Sequence, residues 1–269
     1  MTVNFRTLPQ PVPGAADFGS LRPTDEEMAI FNSQTLVAWT RASINYEQSR
    51  IVDRARGVSF NKIPRSPMPP IVRPTNGMYN NKPYIEITDI FLNPPELRSG
   101  EDVLPSSGSY TFAWVGHWKT GTGSNYYFFG NDAESSPLTF AVGVNQSNGR
   151  IQIKHSENVI FNTGVGAFTP VSNVPFLAIV GYDSTAGRMR VRANRGLSDQ
   201  QRTGVTGTIG AARKLAIGAS GGDAFGRANA LRGGGIAEFM VFNSYILDNA
   251  TLVSQVEKVL GDRYGFAAH

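Results

Sequence analysis

Leu138-Thr139-Phe140-Ala141-Val142-Gly143-Val144 and Arg150-Ile151-Gln152-Ile153-Lys154 stand on either side of Gln146-Ser147-Asn148-Gly149. Asn-Gly between two such runs is the strongest short-range signal for a β-hairpin, because both turn residues tolerate positive φ. The same grammar repeats outward. Phe176 to Tyr182 and Arg188 to Arg192 flank Asp183-Ser184-Thr185-Ala186-Gly187, a second hairpin. Tyr84 to Thr88 alternate, Tyr110 to Trp118 and Tyr126 to Phe129 read as further strands, and Lys214 to Gly218 and Ile236 to Phe242 complete the set. Short strands at regular spacing, separated by turn signals, predict an all-β sandwich or barrel.

The two ends read differently. Residues 1 to 23 carry Pro9, Pro11, Pro13 and Pro23, and proline fixes φ and removes a backbone donor, so an extended arm is expected there ahead of one domain over 24–269. Thr24-Asp25-Glu26-Glu27 is a capping box that predicts a short helix over 24–33, followed by a buried strand at Leu36-Val37-Ala38-Trp39. Five prolines between 61 and 75 argue for a connecting loop. After Phe242 the apolar period becomes 3.6: Leu252, Val253, Val256, Val259 and Leu260 share one face, with Asp248 as the expected cap and Gly261 or Gly265 as the expected stop. This amphipathic helix should lie over the sandwich or against a partner.

Composition agrees with a turn-rich β protein. The 269 residues include 29 glycines and 16 prolines, and only 17% are charged, against roughly 25% in an average globular chain. Cysteine is absent, which excludes disulfides, thiolate metal sites and cysteine nucleophiles. Met1 to Arg6 contain no apolar run, so no secretory signal is expected, and no stretch approaches a membrane span. The net charge of +4 permits an acidic partner without demanding one.

These pieces, in this order, resemble the concanavalin A-like, laminin-G-type jelly-roll domains found in many phage and bacterial proteins. The resemblance rests on Leu36-Val37-Ala38-Trp39, on Asn80-Asn81-Lys82-Pro83 leading into Tyr84 to Ile87, and on Gly235 to Asn243 followed by a helix ending in Asp262-Arg263-Tyr264-Gly265. It covers roughly residues 26–266 and implies a jelly-roll sandwich with an N-terminal arm and a C-terminal helix. Such sandwiches carry lectins, hydrolases and virion scaffolds alike.

The superfamily's glucanases carry Glu-x-Asp-x-x-Glu on one strand. Here Glu86-Ile87-Thr88-Asp89 puts its two acids on opposite faces, with no third following, so two-carboxylate hydrolysis is not expected. Glu238 reads as structural and paired with an arginine. His117, His155 and His269 lack metal-ligand spacing. No Gly-x-Ser-x-Gly elbow occurs, and the glycines at 207–210 and 218–222 read as turns. Asn131, Asp132 and Asp223 are the residues to which calcium, the one candidate ion, would bind. Tyr126, Tyr127, Phe128 and Phe129 with Trp114 and Trp118 could stack a sugar, but alternation sends about half of them inward, so most of this cluster is expected to be core. Arg188, Arg190 and Arg192 alternate onto one face and continue to Arg195, offering a basic docking surface for an acidic neighbour or, more plainly, a solvated sheet face. Nucleic acid is not expected, because no aromatics interleave with the stripe. The expectation is a non-enzymatic phage virion protein (capsid decoration, head-fibre or tail-associated subunit), homo-oligomeric and docked to other virion proteins. A glycan-binding host-attachment module is the alternative and a polysaccharide hydrolase the remote one.

Overall fold

A computed structural model of the chain describes residues 23–42, 46–47, 50–62, 71–73, 77–88, 96–105, 108–121, 125–131, 139–156, 159–164, 167–211, 213–218 and 230–268. The arm, apart from Pro23, lies outside the described residues, as do Asp89, Asp132, Asp223, the glycines at 221–222 and His269. In chain order the elements begin with α1 (Asp25–Phe31), β1 (Leu36–Arg41), β2 (Tyr46–Glu47), β3 (Arg50–Val52), β4 (Ser59–Lys62) and β5 (Ile71–Arg73). Next come β6 (Tyr84–Glu86), β7 (Leu97–Asp102), β8 (Tyr110–His117), β9 (Asn125–Asn131), β10 (Phe140–Asn145) and β11 (Ile151–His155). The chain continues with β12 (Val159–Asn162), β13 (Phe176–Asp183), β14 (Arg188–Ala193), β15 (Ser198–Arg202), β16 (Lys214–Ile217), β17 (Gly235–Phe242) and α2 (Ala250–Tyr264).

Two antiparallel sheets face each other. One runs β15-β14-β13-β8-β17-β6-β5, with β1 sharing the edge of β17 beside β6. The other runs β12-β11-β10-β9-β16-β7-β4-β3-β2. The core between them is dominated by large apolar side chains, including Phe112, Trp114, Phe176 and Phe239 from the first sheet and Phe60, Phe128, Phe129 and Phe140 from the second.

A helical layer closes the outer face of the first sheet. Leu252, Val253, Val256, Val259, Leu260 and Tyr264 of α2 pack on Trp39, Val115, Leu177, Ile179, Met240 and Phe242. Every residue of β8 and β17 is therefore buried, whereas β14, toward the sheet's margin, alternates buried and half-buried. The same physics explains the sequence: a strand covered on both faces reads as a continuous apolar run. Burying each of the five aliphatic side chains of α2 stabilises this layer by about 1.5–3 kcal/mol.

Local details both match and correct the expectations. The Thr24 capping box forms, with its hydroxyl accepting from Glu27 N and the Glu27 carboxylate accepting from Thr24 N. The cap of α2 is Asn249, whose Oδ1 accepts from Leu252 N at 3.1 Å, and not Asp248, which turns instead to Arg188 and Arg190. Gly265, at φ 79°, ends the helix. Gly261 lies inside it, where a Cβ would come within 2.5 Å of Arg195 Cδ. In the Asn148-Gly149 hairpin only Gly149 takes positive φ. The loop holds four residues between Asn145 and Arg150, closed by Asn145 N to Arg150 O and Gly149 N to Asn145 O. The segment 61–75 is not wholly irregular: Ile71–Arg73 pairs with β6 as the last strand of its sheet, the one place where flanking prolines are tolerated.

Candidate functional site

Two acidic residues of the interior, Glu27 and Glu238, form a brace with shared arginines. Glu238, on β17, has no exposed side-chain surface. Its carboxylate accepts from Trp39 Nε1 at 2.6 Å, from Arg263 Nη1 at 2.7 Å and from the Tyr264 hydroxyl at 2.9 Å, with Arg41 Nε at 3.3 Å. Glu27, on α1, takes the other ends of Arg41 and Arg263, and Arg54 lies 3.6 Å away. The Arg54 guanidinium also covers the rings of Phe31 and Trp39. The network therefore ties α1, β1, β17 and α2 together. Burial pushes the Glu27 carboxyl up, but the Arg41 hydrogen bond and the Arg263 charge outweigh it and hold it at about 2. Glu238 is likewise lowered: burial opposes ionisation and the charges of Arg263 and Arg41 prevail. A general acid needs the opposite shift, toward the working pH. Glu238 is thus paired with arginines, as its place in the last strand implied. Glu86 is engaged by Arg73, and its intended companion Asp89 is outside the described residues.

The arginine stripe faces acids of its own chain. Arg188 meets Asp183 and Asp248. Arg190 makes a forked pair with Asp199 and reaches Leu247 O. Arg192 forks onto Glu257 of α2, and Arg195 holds Asp262 and Phe266 O. The alternation expected of β14 holds, with Met189, Val191 and Ala193 in the core. Arg192 and Arg195 hold the C-terminal helix, and Arg188 and Arg190 hold the segment just before it. Among the candidate ion donors, Asn131 Oδ1 is occupied by Thr139 N and Phe140 N.

The aromatic cluster offers no sugar platform. Trp114, Trp118, Tyr126, Tyr127, Phe128 and Phe129 are all at most 6% exposed. A register shift between Val142 and Gly143 pairs them with Phe129 and Tyr127, which leaves Phe128 as the extra residue of a bulge. Phe128 and Phe129 therefore both enter the core, so alternation does not turn half of the cluster outward.

What the fold does assemble is a rim of loops at one end of the sandwich. Residues 118–121 follow β8, 145–150 join β10 to β11, and 167–175 lead into β13. Trp118 anchors the group: its Nε1 donates to Pro170 O at 3.0 Å and its carbonyl accepts from Asn173 N at 2.8 Å. Thr120 N donates to Ser172 Oγ, Gly121 N to the Tyr126 hydroxyl, and Gln146 Nε2 to Gly121 O. Gly149 lets the hairpin settle on Thr169, where a Cβ would come within 3.0 Å of its methyl. Val171 and Val174 stand 61% and 48% exposed on this rim, beside Thr120, Ser147, Asn148 and Asn173. Its only charged residues in the described loops are Lys119 and Arg150. Sequence reading missed the rim because it joins three stretches that are separate in the chain, and only the Asn148-Gly149 turn hinted at it.

No protein-family model matches the chain, and no curated protein matches its sequence. Solved structures do match. A structure of botulinum neurotoxin type C, whose cell entry depends on interaction with two ganglioside molecules, superposes with a TM-score of 0.56 at 12% identity over 88% of this chain. Trypanosoma rangeli sialidase superposes with a TM-score of 0.53 at 11% identity over 84% of this chain. The chain has a concanavalin A-like jelly-roll fold. The likeness is one of fold, and the chain spans 53% of the toxin chain and 32% of the sialidase.

Proposed function

We propose that this chain is a non-enzymatic glycan-binding module and that the loop rim is its binding surface. The observation that carries the reading is the chemistry of that rim. It presents side-chain amides and hydroxyls, two exposed valines and no carboxylate among its described residues. A sugar ring offers hydroxyls to such amides and a C–H face to such apolar groups, and a rim pinned by side-chain hydrogen bonds spends little entropy on binding. The ganglioside-dependent toxin and the sialidase support the reading as proteins of like fold that engage glycans. The ligand class is set by charge. Lys119 and Arg150 are both cationic, and the nearby Glu86, whose carboxyl the Lys119 charge helps to lower, is already taken by Arg73.

Acidic glycans are therefore expected to bind more tightly than their neutral counterparts, with an excess that shrinks as salt rises. A glycan array followed by calorimetry tests this. Asn173→Gly, which tolerates the φ of 60° at this position, combined with Val171→Ser should weaken binding at least tenfold, about 1.4 kcal/mol, with little change in the unfolding midpoint. Failure to retain any glycan, or equal affinity in the variant, would count against the rim.

The finer reading places the module on a phage particle, as a capsid-decoration, head-fibre or tail-associated subunit. The resemblance to domains of phage structural proteins supports it, with the Pro-rich residues 1–23 as the docking arm. Removing residues 1–23 should then abolish incorporation into particles while leaving glycan binding intact.

A further inference from the structure

At the end of the sandwich opposite the rim, residues 203–210 (Thr-Gly-Val-Thr-Gly-Thr-Ile-Gly) leave β15 and cross the mouth of the core. We propose that Gly204–Gly210 is a strap latched by His155 and opened by acid. Its construction is that of a hinged cover. Gly204 and Gly210 take φ of 70° and 81°, and a Cβ at either would meet nothing within 4 Å, so both ends can rotate without resistance from neighbours. Between them Val205 and Ile209 are plugs, 1% and 2% exposed, set into the core, while Thr206, Gly207 and Thr208 are exposed. Among the described residues few polar bonds hold the strap to the body: Val205 N to Gly187 O, Thr139 Oγ1 to Ile209 O, and the latch.

The latch is His155, at the end of β11 and 1% exposed. Its Nε2 lies 3.2 Å from Gly207 O, and its Nδ1 lies 3.0 Å from the Tyr110 hydroxyl. The carbonyl can only accept, so Nε2 carries the proton and Nδ1 accepts from Tyr110. The neutral ring is thus fully satisfied. A second proton would put a donor on Nδ1. The Tyr110 hydroxyl would then have to turn its hydrogen into the core, and no other partner of that hydroxyl exists among the described residues.

The groups facing the ring from each packed element are the Tyr110 phenol of β8, the Tyr182 phenol of β13 and Phe140 of β10. Asp183, at the end of β13, is committed to Arg188 and to the 183–187 turn. Lys154, before it on β11, is a further cation. Stacking on Tyr182, with ring centroids 3.9 Å apart, favours an imidazolium. A buried charge without a carboxylate costs more than such stacking returns, so expulsion wins. In agreement, burial lowers the His155 pKa, against the raising effect of the Gly207 hydrogen bond. The closed strap is therefore stabilised above the ordinary histidine pKa and loses that stability as the pH falls through it. Opening hydrates the ring and uncovers the seats of Val205 and Ile209.

Hydrogen exchange of the intact chain between pH 7.5 and 5, corrected for intrinsic rates, tests the latch. Peptides spanning 203–210 should open up to about tenfold more per pH unit below the open-state pKa, while the core strands Tyr110–His117 and Phe176–Asp183 stay protected. In His155→Gln, whose amide can still donate to Gly207 O, the pH dependence should vanish. A measurement on the unaltered chain guards against a variant that fails to fold: by NMR, the His155 ring and the Gly207 amide should share one titration midpoint. A strap that is indifferent to pH, a pH response surviving in His155→Gln, or a His155 titration that Gly207 ignores would overturn the proposal.

Discussion

Replacing Glu238 by alanine is expected to lower the unfolding free energy by about 3–5 kcal/mol. The carboxylate is the common acceptor of Trp39, Arg263 and Tyr264 and is ion-paired with Arg41. Without it two guanidiniums, an indole N–H and a phenol face a cavity together. Glu27 still holds one end of each arginine, which keeps the cost from rising further. Against a typical total of about 5–15 kcal/mol, such a loss should be plain in a urea titration. Glu238→Gln keeps one acceptor oxygen and the volume, so its loss should be smaller. A loss below about 1 kcal/mol in the alanine variant would mean that the brace is worth no more than a surface ion pair. The brace also has an architectural role: through Glu27 and Arg263 it joins the first helix to the last, a link that Glu238→Ala leaves in place.

The second large effect is acid sensitivity from His117. This residue ends β8 and is 3% exposed. Its Nδ1 lies 2.6 Å from the Tyr79 hydroxyl, and it hydrogen-bonds the backbone at Gly233. Burial pushes its pKa down to about 4, with the Gly233 bond and the Glu86 charge pulling the other way. A depressed histidine favours the folded state only while neutral. Its contribution is complete above about pH 6.5 and is lost as the pH falls toward 4, because the unfolded chain takes up the proton first. The amplitude is about 3 kcal/mol, from 1.36 kcal/mol per unit. Denaturant midpoints at pH 7.5 and 4.5 should therefore separate widely, and His117→Gln should flatten that slope. Below about pH 4.5 the carboxylate of Glu27, held at about 2, begins to lose its own share, so a second decline should follow in the variant as well. An unchanged slope in His117→Gln would assign the acid sensitivity elsewhere.

Much of the fold was legible because its signals are local. The Thr24 capping box, the turn at Asp183–Gly187 and the alternation of Arg188, Arg190 and Arg192 each depend on a few adjacent residues, and each formed as read. Glu238 was legible as a partner of arginine because an acid in an otherwise apolar strand needs one. The aromatic cluster was legible as mostly core; that Phe128 and Phe129 both turn inward was not, because the bulge opposite Val142 and Gly143 depends on pairing between strands, and one extra residue changes which side chains face the core. The cap of α2 moved from Asp248 to Asn249 because Arg188 and Arg190 compete for the aspartate. The rim was invisible because Trp118, Gln146 and Ser172 meet only in three dimensions. The strap left one trace, glycines at 204, 207 and 210 with Val205 and Ile209 between them, which reads as a turn-rich loop until His155 is placed beside it.

The most direct measurement is NMR mapping of the chain titrated with the tightest acidic glycan from an array. Amide shifts should concentrate in residues 118–121, 145–150 and 167–175, and the glycan should be recovered intact. Shifts centred on the Glu27–Glu238 brace, or a cleaved glycan, would contradict a binding module whose carboxylates are structural.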